Sequence, residues 1–294
     1  QGINYYLFSL FSIKYAISIK TEIYITRNLF TLFILILLRK KTIIEIHHDL
    51  SNEGRLVKFL YNNLRLFNSK NIIKIIAITN SVKKYLIKKH KVDKKKVVII
   101  TSASDLKLRF KKLNLKKNYK IGYFGSLEKS KGSEFIIRLS KLDKENQYYI
   151  YGGDSKTVLN LKKKLFFKNL NIFEYVPYNR LSYFIGKMDI VLMPSSRNKL
   201  KSIGGVGNIS KYTSPVKLFD YLASGKLIIS SKLKVFEEVI KDKENCIMIK
   251  KLKPKLWLRT IKNLKNRLNE INRIKKNAFL LSKNFTYEKR AEKI

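Results

Sequence analysis

A chain of 294 residues, 45% hydrophobic and 12% aromatic, holds enough apolar material for two domains of ordinary size, which excludes a disordered chain. Lys and Arg total 63 against 21 Asp and Glu, and the net charge of +42 points to nucleic acid, an anionic membrane surface or an anionic substrate. The lysines are spread through a chain dense in Lys, Ile and Asn rather than clustered, so a purely compositional origin of the charge stands beside those three.

The chain opens at Gln1 without the charged, apolar and cleavage regions of a secretory leader, and it is expected to lack its true start. Residues 1–20 suit an amphipathic helix with its aromatic residues on one side, and residues 22–26 a short strand. The apolar run 29–38 lies between Arg27 and Arg39-Lys40-Lys41 and falls well short of the roughly 20 residues a membrane span requires. It is expected to be a buried helix, with a helix lying in a membrane interface as the alternative. Residues 42–47 read as a buried strand ending in His47-His48-Asp49. A helix over 54–67, a strand over 72–78, a basic helix over 81–90 and a strand over 97–100 continue the series. Apolar strands separated by helices predict a parallel sheet, whose ligands collect at the carboxyl ends of the strands. His47 and His48 stand at such an end, either as ligand-facing residues or as capping and packing ones. The charged stretch 106–118 has no clear period and suits a solvated linker.

A second β/α series begins at 119–124. The turn from Gly125 to Gly132 joins that strand to a helix carrying Phe135, Ile136 and Leu139. Glycines at such a turn let backbone approach a ligand closely, and Lys131 at the helix start is placed for an anion. A strand over 147–151, a basic helix over 155–167, a strand over 171–176 running into Pro177, a helix over 181–187 and a strand over 188–194 follow. The glycine-rich stretch 203–207 lacks the Gly-Lys-Ser/Thr of a Walker loop and reads as a mobile loop beside the site. Residues 235–240 and 246–249 complete the alternation, 257–281 reads as helical and 285–294 as a tail helix. Cys246, the single cysteine, lies in an apolar run as a buried thiol, which excludes an intrachain disulfide and a cysteine-cluster metal site.

The most ordered stretch is 212–231, YTSPVKLFDYLASGKLIISS. Ser214 suits an N-cap, Pro215 the first helical position, and Gly225 a left-handed C-terminal cap. Val216, Phe219 and Ala223 share an apolar side with Leu218 and Leu222, while Lys217, Asp220 and Ser224 form a polar stripe. Lys217 is then a cation at N3, the positive end of the helix dipole. It either snorkels into water or marks a bound anion, as phosphates bind at helix N-termini. Asp220 can accept hydrogen bonds from sugar hydroxyls, or pair with Lys217 or Ser224.

SPVKLFDYLASGKLIIS resembles the donor-site signature of the family 4 glycosyltransferases, usually S-P-x-K-x-x-E-Y-x-A-x-G-K-P-I-I, with Asp220 at the usual Glu. Tyr212 stands where the family places another Glu eight residues earlier. Glu45-Ile46-His47 is similar to the family's E-x-H element. The turn from Gly125 to Gly132 is similar to its G-R-x-x-x-x-K-G loop, with Lys131 at the Lys and Ser126 at the Arg. Met188-Asp189-Ile190 and the run to Pro194 resemble A-D-I-x-L-x-P. Ala103-Ser104-Asp105 stands at the G-V-D turn without its glycine.

The resemblance implies an α/β chain of GT-B fold, two Rossmann-like β/α/β domains facing each other across a cleft, the first incomplete. Residues 1–112 would form the acceptor-side domain, 113–285 the nucleotide-sugar domain, and 286–294 a tail helix crossing back. It implies a retaining, metal-independent transferase moving a sugar from a nucleotide-sugar donor to an acceptor hydroxyl, needing no cofactor. Gly125, Ser126, Lys131, Ser214, Pro215, Val216 and Lys217 would hold the donor diphosphate, and Asp220 the ribose. Tyr175 and Val176 would line the base, and His47 would face the sugar, with His48 and Tyr212 as further candidates. The acceptor would be a glycan or lipid-linked, in assembly of a bacterial surface polysaccharide or lipopolysaccharide. The setting would be cytoplasmic, on the anionic inner face of the membrane; nucleic acid is not an expected partner. A sugar-nucleotide epimerase of the same fold and a non-catalytic basic nucleic-acid binder are the alternatives.

Overall fold

The computed structural model describes residues 3–19, 21–114, 117–165, 167–196, 200 and 208–294, apart from the side chains of Asn52 and Lys129. The chain divides into two compact units. The described residues of 1–101, 202–214 and 293–294 form the first, and those of 102–201 and 215–292 the second.

The first unit alternates α1 (Ile3–Ser18), β1 (Ile23–Thr26), α2 (Leu29–Leu37), β2 (Lys41–Ile46), α3 (Arg55–Asn63), β3 (Ile72–Ala77), α4 (Asn80–His90) and β4 (Val97–Ile99). The strands pair in parallel in chain order, β1-β2-β3-β4. After Lys41 every residue of β2 is buried, as expected of a strand covered on both faces. Asn28 starts α2 by accepting from the N–H groups of Phe30 and Thr31. The apolar run forms the expected buried helix, with Leu29 and Leu32 in the core beside Ile44, Val57 and Leu86 and with Leu35 also buried. Two expectations fail here. The aromatic residues of α1 are divided: Tyr6 packs on Phe30 at 4.8 Å, whereas Phe8, Phe11 and Tyr15 are exposed. The helix expected over 54–67 stops at Asn63. Arg65 turns left-handed at φ 47° and a short 3-10 turn brings buried Phe67 within 4.5 Å of Tyr61. Burying that ring outweighs one more turn of helix.

The second unit contains β5 (Lys120–Phe124), α5 (Ser133–Leu142), β6 (Gln147–Gly153), α6 (Ser155–Lys164), β7 (Leu170–Glu174), α7 (Tyr178–Gly186), β8 (Ile190–Met193), α8 (Val216–Ser224), β9 (Leu227–Ser231), β10 (Ile247–Ile249), α9 (Pro254–Lys262), α10 (Leu268–Ser282) and α11 (Tyr287–Ala291). Its strands are parallel in the order β10-β9-β8-β5-β6-β7. β5, the first in sequence, therefore has neighbours on both sides, and the order reverses between β5 and β8. In such sheets the crevice for a ligand opens at that reversal, beyond the carboxyl ends of the strands. Alternate residues of β5 enter different cores: Ile121 and Tyr123 pack with Phe135, Trp257 and Ile271, and Phe124 packs with Val191, Phe219 and Tyr221.

The stretch expected to be a solvated linker is a packed strap. Leu106 and Leu113 are buried, and Asn272 of α10 both accepts from the Leu113 N–H at 2.7 Å and donates to its carbonyl at 3.0 Å. Buried Lys275 donates to the Lys111 carbonyl at 3.0 Å. Side chains of α10 thus satisfy a backbone that has no ladder of its own. The helix expected over 257–281 is broken by a 3-10 turn at Asn263–Asn266, which buries Leu264 and leaves Arg267 at φ −135°. Cys246 is buried, and burial pushes its thiol pKa up. Among the described residues no helix is long and apolar enough to cross a membrane. The glycine-rich stretch 203–207 lies outside the described residues.

Candidate functional site

The turn after β5 is built by close backbone contact. The Gly125 N–H donates to the Tyr151 carbonyl at 2.9 Å. Gly152, at φ +144°, comes so near that a Cβ there would stand 1.9 Å from the Gly125 oxygen. Only glycine fits. At the other end of the turn a Cβ on Gly132, at φ +96°, would lie 2.1 Å from the carbonyl of Pro194, the residue after β8. The turn is therefore held over the reversal point of the sheet from both sides.

Lys217 reaches this turn from α8. Its Nζ donates to the Tyr123 hydroxyl at 3.3 Å and lies 4.5 Å from the centre of that ring. A Cβ on Gly125 would stand 3.0 Å from the same Nζ. Lys131 pairs with Glu128 at 3.5 Å, and its carbonyl is 3.2 Å from the Tyr123 hydroxyl. Two lysines far apart in the chain thus gather around one turn. Burial, reinforced by the like charge of Lys131, lowers the Lys217 pKa to about 7. Among the described residues no carboxylate pairs with Lys217. The Ser126 hydroxyl is buried without a hydrogen-bond partner among the described residues. Such a group costs about 1–3 kcal/mol unless a ligand satisfies it.

α8 starts one residue later than its capping pattern predicts. Pro215, at φ −72° and ψ 125°, is the N-cap and makes no side-chain cap bond, so Val216 is the first helical residue and Lys217 stands at N2 rather than N3. The proline ring fixes φ and leaves ψ free to stay extended. Gly225 closes the helix in the expected left-handed conformation, φ 62°. From Leu218 to Ser224 the helix is buried, so the polar stripe faces inward, while Val216 is exposed.

Asp220 pairs with neither Lys217 nor Ser224. The Ser104 hydroxyl donates to its Oδ1 at 2.6 Å and the Tyr178 hydroxyl at 3.4 Å. Burial raises its pKa to about 6, against the pull of those two hydrogen bonds. Oδ2 has no partner among the described residues. Tyr175 and Val176 line a cavity of about 170 Å³ together with Gly125, Lys217 and Asp220.

In the first unit His47 directly follows β2. Its Nε2 donates at 2.7 Å to Oε1 of Glu45, two residues back on the same strand face, and Arg27 lies 3.1 Å from that oxygen. His48 donates through Nδ1 to the Asp49 carbonyl at 2.7 Å. These histidines share a cavity of about 360 Å³ with Arg27, Glu45, Thr213 and Ser214. Tyr212 packs against Tyr85 at 6.0 Å between ring centres, and its carbonyl accepts from Thr79. Burial, helped by the charge of Asp49, raises the Tyr212 pKa to about 12. Tyr212 and Ser214 thus belong to the first unit, whereas Pro215, Val216, Lys217 and Asp220 belong to the second. Tyr123, Ser104 and Tyr178 escape sequence reasoning. A tyrosine inside an apolar strand reads as core, and nothing local links Ser104 or Tyr178 to Asp220.

No curated protein sequence matches the chain. Many solved structures share its fold. HepE of Anabaena, in complex with UDP-glucose, superposes with a TM-score of 0.72 at 12% identity, over 97% of this chain and 80% of that one. A glycosyltransferase from Rickettsia africae gives 0.68 at 18% identity, over 99% and 78%. Sucrose-phosphate synthase from Thermosynechococcus elongatus gives 0.72 at 13% identity, over 97% and 75%. The two parallel α/β sheets are those of the GT-B glycosyltransferase fold. The stretch 104–280, more than half of the chain and including Gly125, Lys131, Lys217 and Asp220, matches the family model of the glycosyl transferases group 1, and the chain belongs to that family.

Proposed function

We propose that this group 1 glycosyltransferase moves a sugar from a nucleotide-sugar donor to an acceptor hydroxyl with retention at the anomeric carbon, as a family 4 enzyme that requires no metal ion. The observation that carries the reading is the meeting of Lys131 and Lys217 at a turn beyond β5, where no carboxylate among the described residues pairs with Lys217. When the bond from the anomeric carbon to the diphosphate oxygen breaks, negative charge grows on the leaving group. Fixed cations and the first N–H groups of α8 are the devices that stabilise it.

The remaining roles follow from chemistry. Gly125, Ser126 and Val216 would add backbone or hydroxyl donors to the diphosphate, with Ser214 and Pro215 leading the chain into α8. Asp220 would accept from the ribose through Oδ2, and Tyr175 and Val176 would flank the base. His47, held by Glu45, would serve the sugar, with His48 and Tyr212 nearby in the same unit. The nucleotides in the HepE structure and in that of the pneumococcal O-GlcNAc transferase GtfA with UDP and GlcNAc support a nucleotide-sugar donor. The net charge of +42 supports an acceptor presented at an anionic membrane face, in surface polysaccharide assembly.

The test is a thermal-shift panel of UDP-, GDP- and ADP-sugars, run with and without EDTA. One nucleotide class is expected to raise Tm, with transfer to an added acceptor unchanged by EDTA. No shift from any donor overturns the reading, and donor turnover in the absence of acceptor marks an epimerase instead.

A further inference from the structure

A lysine ammonium set against a buried turn without a carboxylate is unfavourable, because burial penalises the charged form. Its long stem would ordinarily carry the charge out to water. Something on this turn holds Lys217 in place, and the contacts identify it. The Tyr123 side chain is fully buried in β5, with its ring face beneath the Lys217 Nζ at 4.5 Å. Its hydroxyl hydrogen points to the Ser126 carbonyl at 2.9 Å, with the Lys131 carbonyl at 3.2 Å as the alternative acceptor. With that hydrogen engaged, the phenol oxygen has only lone pairs to offer, and the Lys217 Nζ donates to it at 3.3 Å. The same oxygen therefore ties the turn, through the Ser126 carbonyl or the Lys131 carbonyl, to the cation from α8.

Resting on the donor-site reading above, we infer that Tyr123 is a positioning residue for the diphosphate, fixing Lys217 and the 126–131 turn in one arrangement before the anion arrives. It acts through Lys217 and the turn, since its one hydrogen is already engaged. The other titratable groups around Lys217 do not share this role. Lys131 repels it and is itself paired with Glu128. Asp220 is bonded to Ser104, and the Tyr221 hydroxyl accepts from the Phe124 N–H. Tyr175 shares the cavity but makes no hydrogen bond to Lys217 among the described residues.

The experiment is a double-mutant cycle on the full chain, read by calorimetric titration of UDP, GDP and ADP across pH 6–9. Tyr123→Phe is expected to weaken the nucleotide that binds by roughly tenfold, the usual scale for losing a hydrogen bond to a charged group. It should also move the midpoint of the pH dependence lower, since the ammonium loses its acceptor. In a Lys217→Met background the same substitution should change affinity less than about twofold, because coupled residues are not additive. Tyr123→Leu, which removes the ring face as well, should lose more than Tyr123→Phe. No binding by wild type, or wild-type affinity in Lys217→Met, overturns the donor-site reading and the inference with it. A weakened Lys217→Met beside an unchanged Tyr123→Phe, or an equal loss in both backgrounds, overturns the role of Tyr123 alone. Loss of the fold in both Tyr123 variants overturns it too, because the residue would then serve the core rather than the site.

Discussion

The two units share one construction, parallel strands alternating with helices, and differ in what their strand ends hold. In the first, strand order follows chain order without reversal, and Glu45 near the end of β2 bonds both Arg27 and His47. In the second, the order reverses at β5 and β8, and Lys217 of α8 meets the turn there with no counter-ion among the described residues. On the proposed function, nucleotide affinity belongs to the second unit, and substitutions in the first should leave it unchanged.

Substitutions can break that contrast or sharpen it. Lys217→Met removes the waiting charge and should lower kcat/KM by about 10²–10³-fold, the scale of losing one stabilising group for a developing anion, with nucleotide affinity falling alongside. Steady-state kinetics paired with a binding titration check this, and an intact affinity would dissolve the contrast. His47→Ala should lower kcat by roughly 10²-fold while leaving the Kd of the free nucleotide unchanged, which separates the two units most cleanly.

A pH series sharpens the contrast further. Lys217 has a pKa lowered to about 7, so it is charged below that value and progressively neutral above it in the empty site. An anion binds the charged form, hence affinity should be flat below that pH and fall by up to about tenfold per unit above it, with uptake of a proton on binding. Binding titrations in buffers of different ionisation enthalpy measure that proton. The smallest effect belongs to Asp220→Asn. It keeps the shape and an acceptor for Ser104, and should weaken nucleotide binding by roughly threefold to fivefold, the size of one exchanged neutral hydrogen bond.

Much of this was legible in the chain because it is local. Apolar runs at strand spacing located the sheets, and Gly225 announced the end of α8. Lys131 and Lys217 each stand out beside a helix start, and the family resemblance is what puts both at one diphosphate site. What stayed hidden depends on partners distant in sequence. The stretch 106–118 looked solvated because its charges carry no period, and the residues that anchor its Lys111 and Leu113, Lys275 and Asn272, lie on α10. The early stop of α3 answers to the burial of Phe67, which helix propensity does not weigh. Tyr123 resembles any other core tyrosine until the lysine above it is seen.

The contact between Gly125 and Gly152 has a consequence for redesign. A Cβ on Gly152 would meet the main chain of Gly125, which cannot be trimmed or rotated away, and one on Gly125, at φ +155°, would meet Lys217 and Tyr123. The seat proposed for the anion is set largely by peptide geometry. Leu181, Tyr175 and Val176 border the neighbouring cavity with ordinary side chains. Variants seeking a different nucleotide have their latitude along that wall, and the glycine pair is the part of the protein that must be left alone.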